Sequence, residues 1–383
     1  MESISGISDE ASQSEDSEHG TSCHPLITDT INTGQIPAEV RQAAVCHCQR
    51  LLDGAWWRLT ADSIRMTSLG DGVALSNYIY LCELPDHIPV EGFEPRQALV
   101  RFYGEVIKED IQGVIQNSVI FSILAGLKLG PQLYGLFDGG RIEEYLPSRC
   151  VRESEMRLPS ISKRVAKRLA QFHNLTMPIC KPPFWFYECI EKWLPVVPQL
   201  LTSGSGNSFH AEHLRRLGEM DLGTEYADVK ELARSVRSPV VFCHNDLNRG
   251  NILLLDNSEE LVFIDLDFCS YNHRGFDIAS YFNEWCDYQK MKKFPECLST
   301  YPSREQQLEF YRTYLTASGI DLGDIEDEAE SMIREVRVWG TLAHYFYALW
   351  ALNTVGKCNI DFPFIEWAVC RLETYFKWKA ELG

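Results

Sequence analysis

The chain has 383 residues, 45% of them hydrophobic, enough to bury a large core and to divide into two lobes. Its 54 acidic residues outnumber 36 basic ones, and the net charge of −18 argues against nucleic acid and anionic membrane as principal partners. Thirteen scattered cysteines, with no cleavable signal and no apolar run of membrane length, lead us to expect reduced thiols, no membrane span and a cytoplasmic location.

Residues 1–35 are rich in Ser, Glu, Asp and Gly, contain no Lys or Arg and show no apolar periodicity, which predicts a disordered acidic tail. A helical pattern follows from Glu39 to Leu52. Within it Cys46, His47 and Cys48 are adjacent and lack a second paired cluster, a poor arrangement for tetrahedral zinc. Alternating segments Leu75 to Leu84, Ala98 to Tyr103, Leu133 to Phe137 and Arg141 to Glu144 predict antiparallel strands, with Asn117 to Leu127 as an intervening helix. A small sheet with one helix over 36–145 suits a nucleotide-binding N-lobe. Its short loop Leu69 to Asn77 offers Gly70 and Gly72, where backbone amides can approach phosphate closely.

After Tyr145 the pattern turns mainly helical, so 146–383 reads as a larger C-lobe. Ile161 to His173, Phe184 to Leu194, Gln306 to Ala317, Ala329 to Leu352 and Phe364 to Ala380 are its predicted helices, and Gly204 and Gly206 mark a loop. The nucleotide cleft is expected between the lobes, with Glu143, Glu144, Tyr145 and Leu146 as the connecting strand.

The decisive stretch begins at Val241. In VFCHNDLNRGNILLL, Asp246 and Asn251 are separated by four residues, as in a kinase catalytic loop, and VFIDLDF supplies Asp265. Phosphoryl transfer needs one carboxylate near the attacking hydroxyl and hard oxygen ligands for Mg²⁺ on the nucleotide phosphates. Asp246 fits the first need, and Asn251 and Asp265 fit the second. The apolar runs Ile252 to Leu255 and Leu261 to Ile264 flank Asp-Asn-Ser, predicting a hairpin that returns Asp265 to Asn251. Beyond it, LDFCSYNHRGFDIASYFNEW runs quickly into a helix for which Asp277 is the expected N-cap. No peptide-docking segment is visible there, which indicates a small-molecule kinase.

These motifs, together with SNYIYLCELPD, VRFYGE, LGPQLYGLF and RIEEYLPSR, resemble the choline/ethanolamine kinase family in order from about Leu69 to the C-terminus. The resemblance implies a two-lobed protein-kinase-like α+β fold, with a small antiparallel-sheet N-lobe and a large, mainly helical C-lobe. It implies transfer of the ATP γ-phosphate to choline with Mg²⁺, giving phosphocholine, the first step of phosphatidylcholine synthesis by the CDP-choline route. It further implies Asp246 as catalytic base, Asn251 and Asp265 as metal ligands, and nucleotide contacts from Ser76, Asn77, Arg101, Glu144, Tyr145, Leu146, Asn248 and Asp265. Family members are often dimeric, so a homodimer is compatible with it.

The chain departs from the family pattern in places. Val73 and Ala74 occupy the usual positions of a glycine pair, and Asn117 stands where a glutamate usually pairs with the Arg101 cation. Choline's trimethylammonium has no N–H donor, so aromatic faces and nearby negative charge must hold it. Phe268, Tyr288, Tyr347, Trp350, Phe362 and Trp367 resemble the family's aromatic cage, with Glu284 and Asp246 as nearby carboxylates. Ethanolamine, whose ammonium wants N–H acceptors, is the alternative substrate, alone or alongside choline. A catalytically inactive pseudokinase is a further alternative, motivated by Val73, Ala74 and Asn117.

Overall fold

The computed structural model describes residues 36–69, 77–104, 111–203, 208–256, 258, 260–286, 294–319, 325–357 and 362–382. The predicted acidic tail 1–35, the loop residues from Gly70 to Ser76 (Val73 and Ala74 among them), the Gly204 and Gly206 loop and Tyr288 all lie outside the described residues.

Helix α1 (Ala38–Leu52) precedes strands β1 (Arg65–Ser68), β2 (Asn77–Glu83) and β3 (Gln97–Tyr103), helix α2 (Ile111–Gly126), and strands β4 (Leu133–Phe137) and β5 (Gly140–Glu144). The five strands form one antiparallel sheet in the order β1-β2-β3-β5-β4. Its inward residues Tyr80, Cys82, Val100 and Ile142 pack with Val40 and Ala44 of α1 and with Trp56, whose indole N–H donates to Pro95 O at 2.8 Å. His47 stacks on Phe137 at 3.8 Å within this core.

Strand β6 (Ser148–Cys150) leads into helices α3 (Pro159–His173), α4 (Phe184–Trp193), α5 (Val196–Ser203), α6 (Ser208–Gly218) and α7 (Leu222–Arg234). Four short strands follow: β7 (Val240–Cys243), β8 (Ile252–Leu255), β9 (Leu261–Phe263) and β10 (Ser270–His273). Helices α8 (Arg274–Asn283), α9 (Arg304–Ser318), α10 (Ile325–Thr354) and α11 (Phe364–Leu382) complete the chain. A second hydrophobic core runs through this helical part. Ile120, Phe121 and Leu124 of α2 join it, so α2 belongs to the sheet segment in sequence but packs with the helices. We propose Tyr145, where β5 has ended, as the boundary between the lobes.

The second half of α10 is buried on every side, from Val338 to Leu349, as a helix apolar all round must be. Its position is fixed near its start by a buried ion pair. Arg274, the first residue of α8, donates to Glu335 Oε2 at 2.7 Å and to Glu328 Oε1 at 2.5 Å, and the Ser238 hydroxyl donates to Glu335 Oε1 at 2.7 Å. A charge left without its partner in such a place is costly. Glu335→Ala should therefore destabilise the protein by about 3–5 kcal/mol. Urea unfolding will read this as a lower midpoint with an unchanged slope.

Candidate active site

Two small antiparallel units build the centre. Strands β7 and β10 pair Cys243 with Ser270, which sends the loop His244–Gly250 out beside the segment that follows β9. The β8–β9 hairpin predicted from the sequence is present, with Ile252 opposite Phe263 and the Ile264 amide donating to Asn251 O at 3.0 Å. Asn251 and Asp265 therefore stand at the mouth of one hairpin. His244 ties the loop to it: Nε2 bonds Ile264 O at 2.9 Å while Nδ1 accepts from the Asp246 amide at 3.2 Å. Burial holds the His244 pKa down, so the ring is a neutral bridge with one donor and one acceptor nitrogen.

Asp246 is gripped from two sides. Asn251 Nδ2 donates to its Oδ2 at 2.8 Å and to its carbonyl at 2.9 Å, and Asn248 Nδ2 donates to Oδ1 at 3.1 Å. Burial first, then the Asp265 charge, pushes the Asp246 carboxyl up to about 7. Asp265 is pushed up to about 6 by burial and by Asp267, with Arg101 and Arg141 pulling the other way. Two half-buried carboxylates that resist ionising together make a site that wants a cation. The Asn251 amide nitrogen is spent on Asp246, which leaves its oxygen as a ligand, and with Asp265 the donor set is hard oxygen of the kind Mg²⁺ prefers.

The loop is held open by one buried carboxylate. Asp277 accepts from the His244 amide at 2.7 Å, the Asn245 amide at 2.6 Å and His173 Nε2 at 3.1 Å. The expected N-cap role of Asp277 is thus corrected: α8 begins at Arg274 with His273 as N-cap, and the Asp277 side chain turns inward to the loop. His173, Cys243 and Asp277 form a cluster of metal-ligand type. Burial and Asp277 push the Cys243 thiol up, and His173 is bonded to Asp277 and Tyr314, so the cluster is a brace. Asn245 sits at φ 66° and Asp265 at φ 60°, in the left-handed region that costs a non-glycine residue energy. Asn245 is kept there by bonds from its Nδ2 to Phe268 O, from Asn272 to its Oδ1, and from the Tyr347 hydroxyl to its carbonyl at 2.8 Å.

On the side where the sequence leads us to expect the nucleotide, cross-strand register places Arg101 opposite Arg141, a like-charge pair that needs an anion between its members. Glu143 supplies it, 2.6 Å from Arg101 Nε and 3.4 Å from Arg141 Nε. Burial opposes ionisation of both Arg101 and Glu143, and their opposite charges outweigh it. The cation that the sequence left unpaired for want of a glutamate at Asn117 thus finds its carboxylate on the neighbouring strand. Asn117 instead donates to Asp267 Oδ1, and Asn77 Nδ2 donates to Asp267 Oδ2 at 3.1 Å. Sequence reasoning had assigned no site role to Glu143 or Asp267; strand alternation from Arg141, and the second acid of Ile-Asp-Leu-Asp, were the available signals. At the end of β5 the Glu144 carboxylate accepts from the Gln132 amide at 2.9 Å, and beyond it Leu146 O accepts from the Ser148 hydroxyl at 2.7 Å. Asn248 Oδ1 accepts from the Gly250 amide at 2.8 Å.

The aromatic set falls into two groups. Trp350, Trp367 and Phe362 are neighbours, with centroids 6.2 Å apart for the two tryptophans and 6.1 Å for Phe362 and Trp367. Tyr347 lies one turn along α10 from Trp350, and Phe268 packs on Trp185 at 5.6 Å. Trp185, missed in the sequence as one more apolar residue of α4, continues to Phe346 at 5.0 Å. One cation is already among these rings. The Arg371 guanidinium lies 4.1 Å from the Trp367 centroid and 5.2 Å from that of Tyr347, and donates to Glu284 Oε1 at 3.1 Å. Burial raises the Glu284 carboxyl and Arg371 pulls it back.

With this geometry described, the chain can be set beside known proteins. The family model for choline/ethanolamine kinase matches residues 70–376. A choline/ethanolamine kinase of Homo sapiens is 37% identical over 88% of this chain and 85% of its own length. Choline kinase alpha of Mus musculus is 37% identical over 90% of this chain and 82% of its own. Among solved structures, a Plasmodium vivax ethanolamine kinase superposes with TM-score 0.70 at 21% identity, covering 92% of each chain. A Cryptosporidium parvum choline kinase gives 0.67 at 22% identity, covering 88% of this chain and 95% of that one. The fold they share is the protein-kinase-like one.

The two raised carboxyls have a consequence for stability. A carboxyl whose folded pKa lies above its unfolded value of about 3.9 binds protons more tightly when folded, so its contribution to stability is lost as pH rises toward the folded value. With a chelator present, the melting temperature of Asp246→Asn should rise relative to that of wild type as pH increases from about 4 to about 7, the interval between the unfolded and folded values. Parallel pH profiles for the two proteins would contradict the assignment.

Proposed function

The chain belongs to the choline/ethanolamine kinase family, and on that footing we propose that it transfers the γ-phosphoryl group of ATP to the hydroxyl of choline, giving phosphocholine and ADP. In this reading Asp246 faces the acceptor hydroxyl and takes its proton as the oxygen bonds to phosphorus and the bond to the β-phosphate bridge breaks. A carboxyl held near 7 by its surroundings suits a base of that kind. Arg101, kept charged and oriented by Glu143, contacts the phosphates, and the backbone of Glu144, Tyr145 and Leu146 borders the base. Asn251 and Asp265 would hold Mg²⁺, which when bound neutralises charge on the phosphate oxygens.

The observation that carries the reading is the Tyr347 hydroxyl on the carbonyl of Asn245, at 2.8 Å. It joins the aromatic face of α10 to the residue immediately before Asp246. That supports a cationic acceptor whose hydroxyl lies beside the base. Ethanolamine is the second reading, favoured by the Glu284 carboxylate, whose side chain keeps 20% exposure. Among the described residues no helix is long and apolar enough to cross a membrane. We propose that the protein works on these small molecules in the cytoplasm, in the step that begins phosphatidylcholine synthesis.

The test is kcat/KM for choline and for ethanolamine with purified protein, ATP and Mg²⁺. Asp246→Ala should lose turnover by about 10²–10⁴-fold or more while keeping its circular-dichroism spectrum. Retained turnover would mean that the base is elsewhere. Trp350→Ala should raise KM for choline by about 2- to 30-fold, and less for ethanolamine, through loss of a π face. Equal rises for both would assign Trp350 to packing.

A further inference from the structure

Arg371 stands where a substrate cation is expected. Its side chain is 2% exposed, its guanidinium covers faces of Trp367 and Tyr347, and its Nη2 donates to Glu284. Three groups of the proposed acceptor pocket are therefore already engaged by a residue of the chain itself. We propose that Arg371 is the specificity-determining residue of this pocket, biasing it toward a quaternary ammonium and against a primary one; the proposal rests on the amino-alcohol kinase reading above.

The argument is one of donors and charge. A primary ammonium carries three N–H groups, each of which must find an acceptor when it leaves water, whereas a trimethylammonium has none to satisfy. Arg371, lying over the Trp367 and Tyr347 rings, claims Glu284 Oε1. What remains for an incoming cation is mostly π surface, on Trp350, Phe362 and Trp367. Net charge does not separate the two substrates, each a monovalent cation; without Arg371 both Glu284 oxygens are open to the N–H donors of a primary ammonium, which suits ethanolamine better.

The experiment compares wild type, Arg371→Leu and Arg371→Lys. Each is assayed for kcat and KM on choline and ethanolamine, and titrated calorimetrically with each amino alcohol in the presence of a non-hydrolysable ATP analogue and Mg²⁺. In Arg371→Leu the ratio of choline to ethanolamine kcat/KM should fall by about tenfold or more, carried mainly by opposite changes in KM. Arg371→Lys keeps a cation over Trp367 and a donor to Glu284, and should hold the ratio within about threefold of wild type. A uniform loss on both substrates in Arg371→Leu, or a ratio that moves equally in the Leu and Lys variants, would overturn the proposal. If Arg371→Leu does not fold, Glu284→Gln, which removes the anion and keeps one acceptor, should lower ethanolamine affinity more than choline affinity by less than threefold. A larger selective loss would show that Glu284 already serves the primary ammonium despite Arg371, and would equally overturn it. Wild-type protein that turns over neither substrate would sink the kinase reading, and the calorimetric ratio would then decide the role of Arg371; wild type that binds neither would overturn both.

Discussion

The Asp277 carboxylate is wholly buried and accepts hydrogen bonds from two consecutive loop amides and an imidazole. A buried carboxylate is tolerated only where its lone pairs are filled, and here the filling groups are the backbone of His244 and Asn245. That exchange sets the path of the loop. It holds Asn245 in a left-handed conformation and aims the following residue, Asp246, toward the hairpin mouth where Asn251 and Asp265 stand. His244, itself buried and neutral, repeats the logic on the other side by joining the Asp246 amide to the Ile264 carbonyl. The centre is thus two backbone segments locked together by side chains that never touch a substrate in the proposed reaction.

Charge is arranged around this lock in alternation. Asp246, Asp265, Asp267 and Glu143 would repel one another if left alone, and Arg101 and Arg141 lie among them. The pairing of Arg101 with Glu143 on adjacent strands means that the cation is oriented within the sheet. Helix α2 is left to meet Asp267 through the neutral amide of Asn117. The substitution of an amide for the family's usual glutamate therefore moves a link without removing the anchoring of Arg101. This weighs against the inactive alternative on the side of the nucleotide.

Much of this was legible in the sequence, for reasons that differ by residue. The β8–β9 hairpin was readable because two short apolar runs flank a turn tripeptide, and α10 because its periodicity persists over many turns. Strands β1, β7 and β10 were not, being only four residues each and too short for alternation to declare itself. Asp277 was misread as a cap because an acid near a helix start fits the capping rule; only the tertiary position of the loop shows that its side chain faces inward. Glu143 lay inside a stretch read as a connecting strand, where backbone rather than side chain drew attention. Arg371 carried no signal at all, since an arginine on an amphipathic helix is ordinarily a solvated one, and its burial appears only when α11 packs against α10 and the end of α8.

The remaining question is why the proposed acceptor pocket and the loop should be so tightly joined. Tyr347 belongs to both: its ring faces Arg371, and its hydroxyl reaches the Asn245 carbonyl and the Ser280 side chain. Burial and the neighbouring Asp246 keep the phenol well above its ordinary pKa, so it remains a donor throughout the working range. A shift in the aromatic wall must then pull on the residue before the proposed base, and a shift in the loop must disturb the wall. For a reaction that asks little of the protein beyond position and charge, such mutual constraint is the useful property. In the proposed reaction it would let the energy of holding an ammonium at one end of a small acceptor govern where the hydroxyl lies at the other. The long, buried, aromatic helix α10 is the element through which the fold meets that demand.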